Sequence, residues 1–304
     1  MAELHKIGFV GVGNMGAPMA LNLARAGYAV IAFDNREDVR DAAANQHEQI
    51  TAAETLANVA AQSQIIIVML PDSRVVNTVV LGDGETRQRG LADDLKAGAV
   101  IVDMSSSFAP ATQKLADALK HKSIAMVDAP VSGGVPKAVS GELAIMAGGT
   151  DVDLDRVEPI LLAMGHVFRT GAVGSGHAMK ALNNYVSAAG LIATSEALSV
   201  GAAFGLDPER MVNILNASTG RNNTTENKAS RYMLSEAFDS GFALALMAKD
   251  VGMARDLAAD MGQKPDELAF VSEFLNMALS SLGKDADHTE IYRYVLANRT
   301  QNRA

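Results

Sequence analysis

The 304-residue chain lacks several features that would assign it to particular protein classes. It contains no cysteine, which excludes a disulfide framework and thiolate metal sites. Its six histidines are scattered along the sequence without the spacing of metal ligands. We therefore expect no bound metal.

Positive charge is also scarce. The chain has 26 lysine and arginine residues against 35 aspartate and glutamate residues, a formal net charge of -9. No block of lysine or arginine is longer than a pair. Binding to nucleic acid depends on neutralising phosphates with clustered cations, so we expect no nucleic-acid partner.

The sequence also lacks long apolar runs and the pattern of an N-terminal signal peptide. The strongly apolar run at residues 65–70 is far too short to cross a bilayer. A strand pattern begins within the first few residues, which leaves no room for the basic and apolar segments of a signal peptide. We expect no membrane partner and a cytoplasmic location.

What the chain does contain is apolar material for two cores, with 48% hydrophobic residues. β-Branched runs at residues 7–10, 29–33, 65–69, 100–103 and 125–128 alternate with helical patterns, which indicates a parallel sheet covered on both faces. After residue 176 the strand patterns stop and only helical spacing continues. The predicted fold class is α/β plus all-α: a Rossmann-type doubly wound domain at 1–168, a long interdomain helix, and a helical domain within 169–304.

A glycine-rich turn follows the first predicted strand. Gly11, Gly13 and Gly16 form GxGxxG between a strand and a helix, the arrangement that lets a backbone approach a dinucleotide pyrophosphate. Asp34 ends the second strand, where a carboxylate binds the adenosine ribose and repels a 2'-phosphate. The pattern predicts NAD as cofactor, and Arg36 keeps NADP open.

A second glycine turn follows the fifth predicted strand. The consecutive N–H groups of Ser132, Gly133 and Gly134, with the Ser132 hydroxyl, suit a carboxylate group of a substrate. An ordinary strand-to-helix turn is the alternative. Residues 141–149 then form an extra strand that closes the edge of the sheet.

One helical face after residue 176 combines Lys180, Asn183 and Asn184 with an otherwise small, apolar helix. A buried ammonium is costly unless it is paired or deprotonated, so Lys180 is a candidate acid/base group. The alternative is a lysine that extends to solvent. Farther along, Lys249 occupies an apolar stripe; it either reaches the ligands or pairs with an acid such as Asp256.

These segments together resemble the β-hydroxyacid dehydrogenase family over nearly the whole chain. Residues 9–23, 128–134, 174–184 and 249–250 look like four family motifs in the family's order. The resemblance implies catalysis by Lys180, with substrate contacts from Ser132, Gly133, Gly134 and Asn184. It also implies cofactor contacts from a larger set: Gly11, Gly13, Asn14, Met15, Gly16, Asp34, Leu70, Pro71, Ser106 and Lys249. Ser106 stands where the family usually has threonine.

The resemblance therefore implies hydride transfer between NAD, or NADP, and a short 3-hydroxy acid or its semialdehyde. Three alternatives stay open: an imine reductase-like enzyme, a 6-phosphogluconate dehydrogenase-like enzyme, and a non-catalytic dinucleotide-binding scaffold. In the loop at 218–225, Arg221 suggests a second anionic group on the substrate, or else a surface residue or subunit contact. The length of the first C-terminal helix predicts a homodimer or homotetramer assembled through the helical half.

Overall fold

The computed structural model describes residues 6–83 and 88–298. The chain divides into two compact units, one ending at Lys180 and the other beginning at Ala181. The first is α/β and the second is helical, which confirms the predicted fold class. The predicted boundary after residue 168 stays a prediction, and the outer ends of both predicted domains, residues 1–5 and 299–304, lie outside the described residues.

The first unit is built around strands that alternate with helices. The strands are β1 (Lys6–Val10), β2 (Ala29–Phe33), β3 (Ile50–Ala52), β4 (Ile65–Val68), β5 (Gly82–Asp83), β6 (Gln88–Arg89), β7 (Val100–Asp103), β8 (Ala125–Asp128), β9 (Val131–Ser132), β10 (Leu143–Gly148) and β11 (Gly165–Gly171). The helices are α1 (Gly16–Arg25), α2 (Glu37–Ala44), α3 (Leu56–Gln62), α4 (Ser73–Leu81), α5 (Leu91–Asp94), α6 (Ala109–Lys120), α7 (Gly134–Ser140) and α8 (Asp151–Leu161).

Six strands form a parallel sheet in the order β3-β2-β1-β4-β7-β8, the order of a doubly wound dinucleotide-binding fold. β10 joins β8 in the antiparallel sense and pairs in parallel with β11. The prediction that the strand at 141–149 closes the sheet edge was wrong, because β11 lies outside it. The three-residue strand β3 and the edge strand β11, with the sequence GHVFRTG, carry too little apolar patterning to stand out from the sequence.

Alternating side chains of each strand build the two faces of this sheet. Phe9 and Ile67 pack into one apolar cluster, whereas Val10, Ile66 and Val68 pack into another. All five side chains are buried. Since successive side chains in a strand point to opposite faces, both faces must be covered by helices, as the near-continuous apolar strands predicted.

Helix α9 (Ser175–Phe204) begins in the first unit and continues into the second. The second unit then contains α10 (Pro208–Asn216), α11 (Asn223–Asn227), a π-helical turn (Ala229–Leu234), α12 (Leu244–Asp260), α13 (Asp266–Leu282), a 3-10 turn (His288–Glu290) and α14 (Ile291–Asn298). These elements surround one apolar cluster that includes Leu191, Val251 and Leu275. The helical character predicted after residue 176 is thereby confirmed.

By length and composition alone, α9 is long and apolar enough to cross a membrane. Core helices of soluble proteins pass the same test, and 44% of the apolar window in α9 is buried inside the protein. The finding is weak evidence for a membrane span. Packing accounts for part of its apolar composition, because Leu191 and Leu198 are fully buried in the core of the helical unit.

Candidate active site

The glycine-rich turn between β1 and α1 is held by close backbone contacts. Gly11 has φ of +94°, and a Cβ atom there would lie 2.2 Å from the carbonyl oxygen of Met69. A Cβ at Gly16 would lie 1.9 Å from the carbonyl oxygen of Gly11. Gly13, by contrast, faces open space except for Arg36 Nη2 at 3.7 Å. The bare backbone of this turn, with Asn14 and Met15 directly before the N-terminus of α1, fits a dinucleotide pyrophosphate.

Asp34 lies directly after β2 and is nearly buried. Its Oδ2 accepts a hydrogen bond from the backbone N–H of Val12 at 3.1 Å, so the carboxylate also holds the glycine turn. Its Oδ1 accepts from the backbone N–H of Arg36 at 3.1 Å, with Arg36 Nε 3.5 Å away. The acid predicted to bind the ribose therefore has an arginine beside it, at the carboxyl end of β2.

The loops that follow β4 and β7 are joined to each other. The Leu70 N–H donates to Ser105 Oγ at 2.9 Å, and the Ser105 N–H donates to Asp103 Oδ1 at 2.9 Å. Ser106 is half-buried and Pro71 is exposed. Both loops lie beyond the carboxyl ends of parallel strands, where open α/β sheets bind their ligands. The predicted cofactor contacts at Leu70, Pro71 and Ser106 are thereby brought to the same edge as the glycine turn.

The predicted substrate loop lies beyond β8. Val131–Ser132 forms β9, pairing with β10, so Ser132 is tied to the sheet. Gly133 and Gly134 are exposed and have positive φ values of +130° and +67°. A β-carbon at Gly133 would also lie 2.6 Å from Lys137 Cδ. Only glycine adopts these conformations without strain, which leaves a bare peptide turn suited to a small anion.

The start of α9 is fastened to β8 by Asp128, a residue of the predicted substrate motif to which the sequence assigned no role. Its Oδ1 accepts from the Gly174 N–H at 2.7 Å and its Oδ2 accepts from the His177 N–H at 2.8 Å. Burial raises the pKa of the Asp128 carboxyl, while the His177 ring and the two N–H groups act in the opposite direction. Gly176 permits the close approach, since a Cβ there would lie 2.1 Å from the Met146 carbonyl oxygen.

His177 connects the helix start to the cofactor side of the sheet. Its Nε2 lies 3.1 Å from the Ser105 carbonyl oxygen, and its Nδ1 lies 2.8 Å from Thr112 Oγ1 on α6. Carboxylate oxygens of Asp103 and Asp128 lie 3.8 and 3.7 Å from the ring nitrogens. The sequence analysis assigned no role to His177, because the histidines are scattered along the chain. Its position one helical turn before Lys180 is the feature of the sequence that could have indicated a role.

Lys180 and Asn184 are both buried, at 9% and 7% exposure, one turn apart on α9. The Lys180 side chain is therefore largely enclosed by protein. Asn184 Nδ2 donates to Asp250 Oδ2 at 2.6 Å, and its Oδ1 accepts from Asn183 Nδ2 at 3.2 Å. Asp250, a buried carboxylate missed as a site residue, thus orients the Asn184 amide.

Lys249 lies on α12 with its Nζ 3.7 Å from Asp250 Oδ1. The predicted ion pair with Asp256 was wrong, because that carboxylate pairs with Arg255 at 2.8 Å. Of the other residues in the stripe predicted around Lys249, Leu246 is exposed, whereas Phe242 and Met253 pack partly against the helical core. The face of α12 that enters the core is offset by one to two residues, and its apolar members are Leu244, Met247, Ala248, Val251 and Ala254.

The protein resembles known enzymes along its whole length. Residues 6–174 match the family model described as NAD binding domain of 6-phosphogluconate dehydrogenase. Residues 174–295 match the model described as NAD-binding of NADP-dependent 3-hydroxyisobutyrate dehydrogenase. The 2-(hydroxymethyl)glutarate dehydrogenase of Eubacterium barkeri is 41% identical over 84% of this chain and 82% of its own. The chain belongs to the β-hydroxyacid dehydrogenase family.

Two further members of the family are similar over almost their full lengths. The mitochondrial 3-hydroxyisobutyrate dehydrogenase of Rattus norvegicus is 35% identical over 99% of this chain and 90% of its own. The solved structure of Mycobacterium tuberculosis 3-hydroxyisobutyrate dehydrogenase with L-serine has a TM-score of 0.86 at 27% identity, covering 96% of this chain and 99% of that one. This β-hydroxyacid dehydrogenase is an oxidoreductase that acts on CH–OH groups of hydroxy acids with NAD, and NADP stays possible.

We predict that Thr112→Val, which removes the hydroxyl beside His177 and keeps the side-chain shape, destabilises the dehydrogenase by about 1–3 kcal/mol, because a buried ring nitrogen loses its partner. Thr112→Ser, which retains the hydroxyl, restores most of that loss. Amide hydrogen exchange over residues 175–180 should accelerate in Thr112→Val alone. Ser195→Ala, which removes a buried hydroxyl farther along α9, serves as control. Equal exchange in all three variants would show that the hydroxyl does not hold the helix start.

Proposed function

We propose that the enzyme oxidises the alcohol of a short 3-hydroxy acid, or reduces the matching semialdehyde, with Lys180 as the general acid/base. The observation that carries this proposal is a buried lysine one turn beyond a helix start that Asp128 anchors to the end of β8, the strand that the proposed substrate loop follows. A proton-transfer group must be held within hydrogen-bonding reach of the reacting oxygen. The bonds from Asp128 hold the helix start at the end of β8, and pairing with β10 holds Ser132, so both groups are positioned by the sheet.

In the oxidative direction, the carbinol C–H bond breaks as hydride and the hydroxyl proton passes to neutral Lys180 Nζ. In the reductive direction the lysine ammonium returns a proton to the carbonyl oxygen. Bound NAD supplies the hydride acceptor, and its reduced form the donor. Ser132 and the N–H groups of Gly133 and Gly134 bind the substrate carboxylate, and Asn184, oriented by Asp250, binds the oxygen-bearing end. Lys249 contributes at the nicotinamide end.

The cofactor contacts proposed for the first unit are Gly11, Gly13, Asn14, Met15, Gly16, Asp34, Leu70, Pro71 and Ser106. We infer a preference for NAD, because Asp34 is anionic at the position of the ribose hydroxyls. Arg36, whose guanidinium is already beside Asp34, leaves NADP as the weaker alternative.

A substrate screen tests this function directly. Initial rates with 3-hydroxyisobutyrate, 2-(hydroxymethyl)glutarate, L-serine, glycerate and threonate should show at least one acid oxidised, with a higher kcat/KM for NAD than for NADP. A higher kcat/KM with NADP would refute the cofactor preference. Failure to oxidise any short 3-hydroxy acid with either cofactor would refute the substrate class.

We predict that Lys180→Ala lowers kcat for the best substrate by roughly 100- to 10,000-fold, the usual contribution of a positioned acid/base group. The affinity for NADH, followed by its fluorescence, should change little because the glycine turn is untouched. Lys264→Ala, at an exposed lysine of the helical unit, is the matched control. A Lys180→Ala enzyme that kept more than a tenth of wild-type turnover would contradict the assigned role.

Assembly as a homodimer or homotetramer, and a cytoplasmic location, complete the proposal. An exposed apolar row on α9 supports assembly: Val186, Val200 and Phe204, of which Phe204 is 85% exposed. Light scattering should give a multiple of the 31.8 kDa chain mass. Replacing Val200 and Phe204 by aspartate should lower that mass, whereas Val152→Asp, at an exposed site in the first unit, should not. A wild-type monomer at micromolar concentration would refute assembly.

A further inference from the structure

The sequence suggested Arg221 as the cation for a second anionic group on the substrate. Its side chain is 63% exposed, and its Nε lies 3.6 Å from Glu226 Oε1. An arginine in this situation is a solvated surface ion pair, which contributes little to binding or stability. A different cation nearby is better placed to bind an anion.

Lys228 follows α11 and precedes the π-helical turn. It is half-buried, and its Nζ lies 3.3 Å from the neutral hydroxyl oxygen of Ser187. Within residues 6–83 and 88–298, no carboxylate oxygen forms an ion pair with this ammonium at 4.0 Å or less. An ammonium has three N–H donors, so the protein residues described leave donors available. Such a partly buried, incompletely paired cation is characteristic of ligand sites.

The charged neighbours of Lys228 do not neutralise it by contact. Asp287 is already bonded to Ser240, Gly241 and Thr289, and it influences Lys228 only through space. Burial lowers the pKa of Lys228 to about 8, partly opposed by Asp287. Burial also lowers the pKa of His288, so that ring adds no positive charge at neutral pH. The lysine ammonium is thus the local cation at neutral pH.

The partner of Lys228 lies on the polar face of α9. Ser187 is three residues beyond Asn184 and seven beyond Lys180, so the three side chains share one face of the same helix. Seven residues rise about 10 Å along a helix axis. The proposed proton-transfer group, a substrate amide contact and a second cation therefore follow one another along this face.

We propose that Lys228 binds a second carboxylate on the substrate, which makes 3-hydroxy dicarboxylic acids the substrate class. This inference rests on the proposed function for the position of the reacting alcohol at Lys180. The substrate side chain then extends along α9 from Lys180 toward Lys228. Ser187 holds the ammonium on that face through its hydroxyl.

The test compares one dicarboxylic with one monocarboxylic substrate. In Lys228→Met, kcat/KM for 2-(hydroxymethyl)glutarate should fall about 10- to 100-fold, the usual effect of losing a charge-assisted hydrogen bond, while kcat/KM for 3-hydroxyisobutyrate changes less than threefold. Arg221→Met, the matched control, should leave the ratio of the two values unchanged. Lys228→Arg should recover part of the loss because it keeps the charge.

A binding experiment separates this inference from the proposed function. With NADH present, glutarate should raise the Tm of the wild-type enzyme more than butyrate does, and Lys228→Met should abolish that difference while keeping its own cooperative unfolding. An unchanged ratio of kcat/KM values, or an unchanged glutarate effect in Lys228→Met, would overturn the dicarboxylate site. Absence of turnover on every hydroxy acid would instead refute the proposed function, and the glutarate result would still decide whether Lys228 binds a dicarboxylate.

Discussion

The bonds from Asp128 to the start of α9 are the constraint on which the active-site arrangement depends. One carboxylate accepts two N–H groups, from Gly174 and His177, at distances of 2.7 and 2.8 Å. A carboxylate at a helix N-terminus is stabilised by the otherwise unpaired N–H groups and by the helix dipole. Because Asp128 ends β8, the strand that precedes the loop at 131–134, its side chain holds the helix that carries Lys180 at the end of that strand.

Because this carboxylate is buried, a helix start displaced from it would leave buried polar groups without partners. Removing Asp128 from water raises its pKa, whereas the N–H groups and the His177 ring favour its ionised form. Asp103 stands on the other side of the same ring and is bonded to Ser105 and Ser107. The helix start is therefore coupled to the loops beyond β4, β7 and β8 through buried polar groups, for which displaced geometries are costly.

Three cations of the helical unit differ in how far they are buried and in what they pair with. Arg221 is solvated and paired, Lys249 lies beside Asp250, and Lys228 is half-buried against a neutral hydroxyl. Lys228 combines a charge with spare donors beside the polar face of α9. A family of enzymes that shares one hydride-transfer chemistry distinguishes substrates through such peripheral groups, because a site built for a polar group discriminates strongly against substrates that lack it.

Local sequence patterns were enough to predict the strands and helices of the doubly wound domain and the glycine turn. They were also enough to select Asp34, Lys180 and Asn184 as candidates, because each pattern involves residues near one another in sequence. Periodicity misplaced the buried face of α12 and the sheet edge, since both depend on what the elements pack against. The roles of Asp128, His177, Asp250 and Lys228 were decided only by tertiary structure. Their partners lie 41 to 72 residues away in sequence, and burial, which gives each contact its energy, exists only in the folded chain.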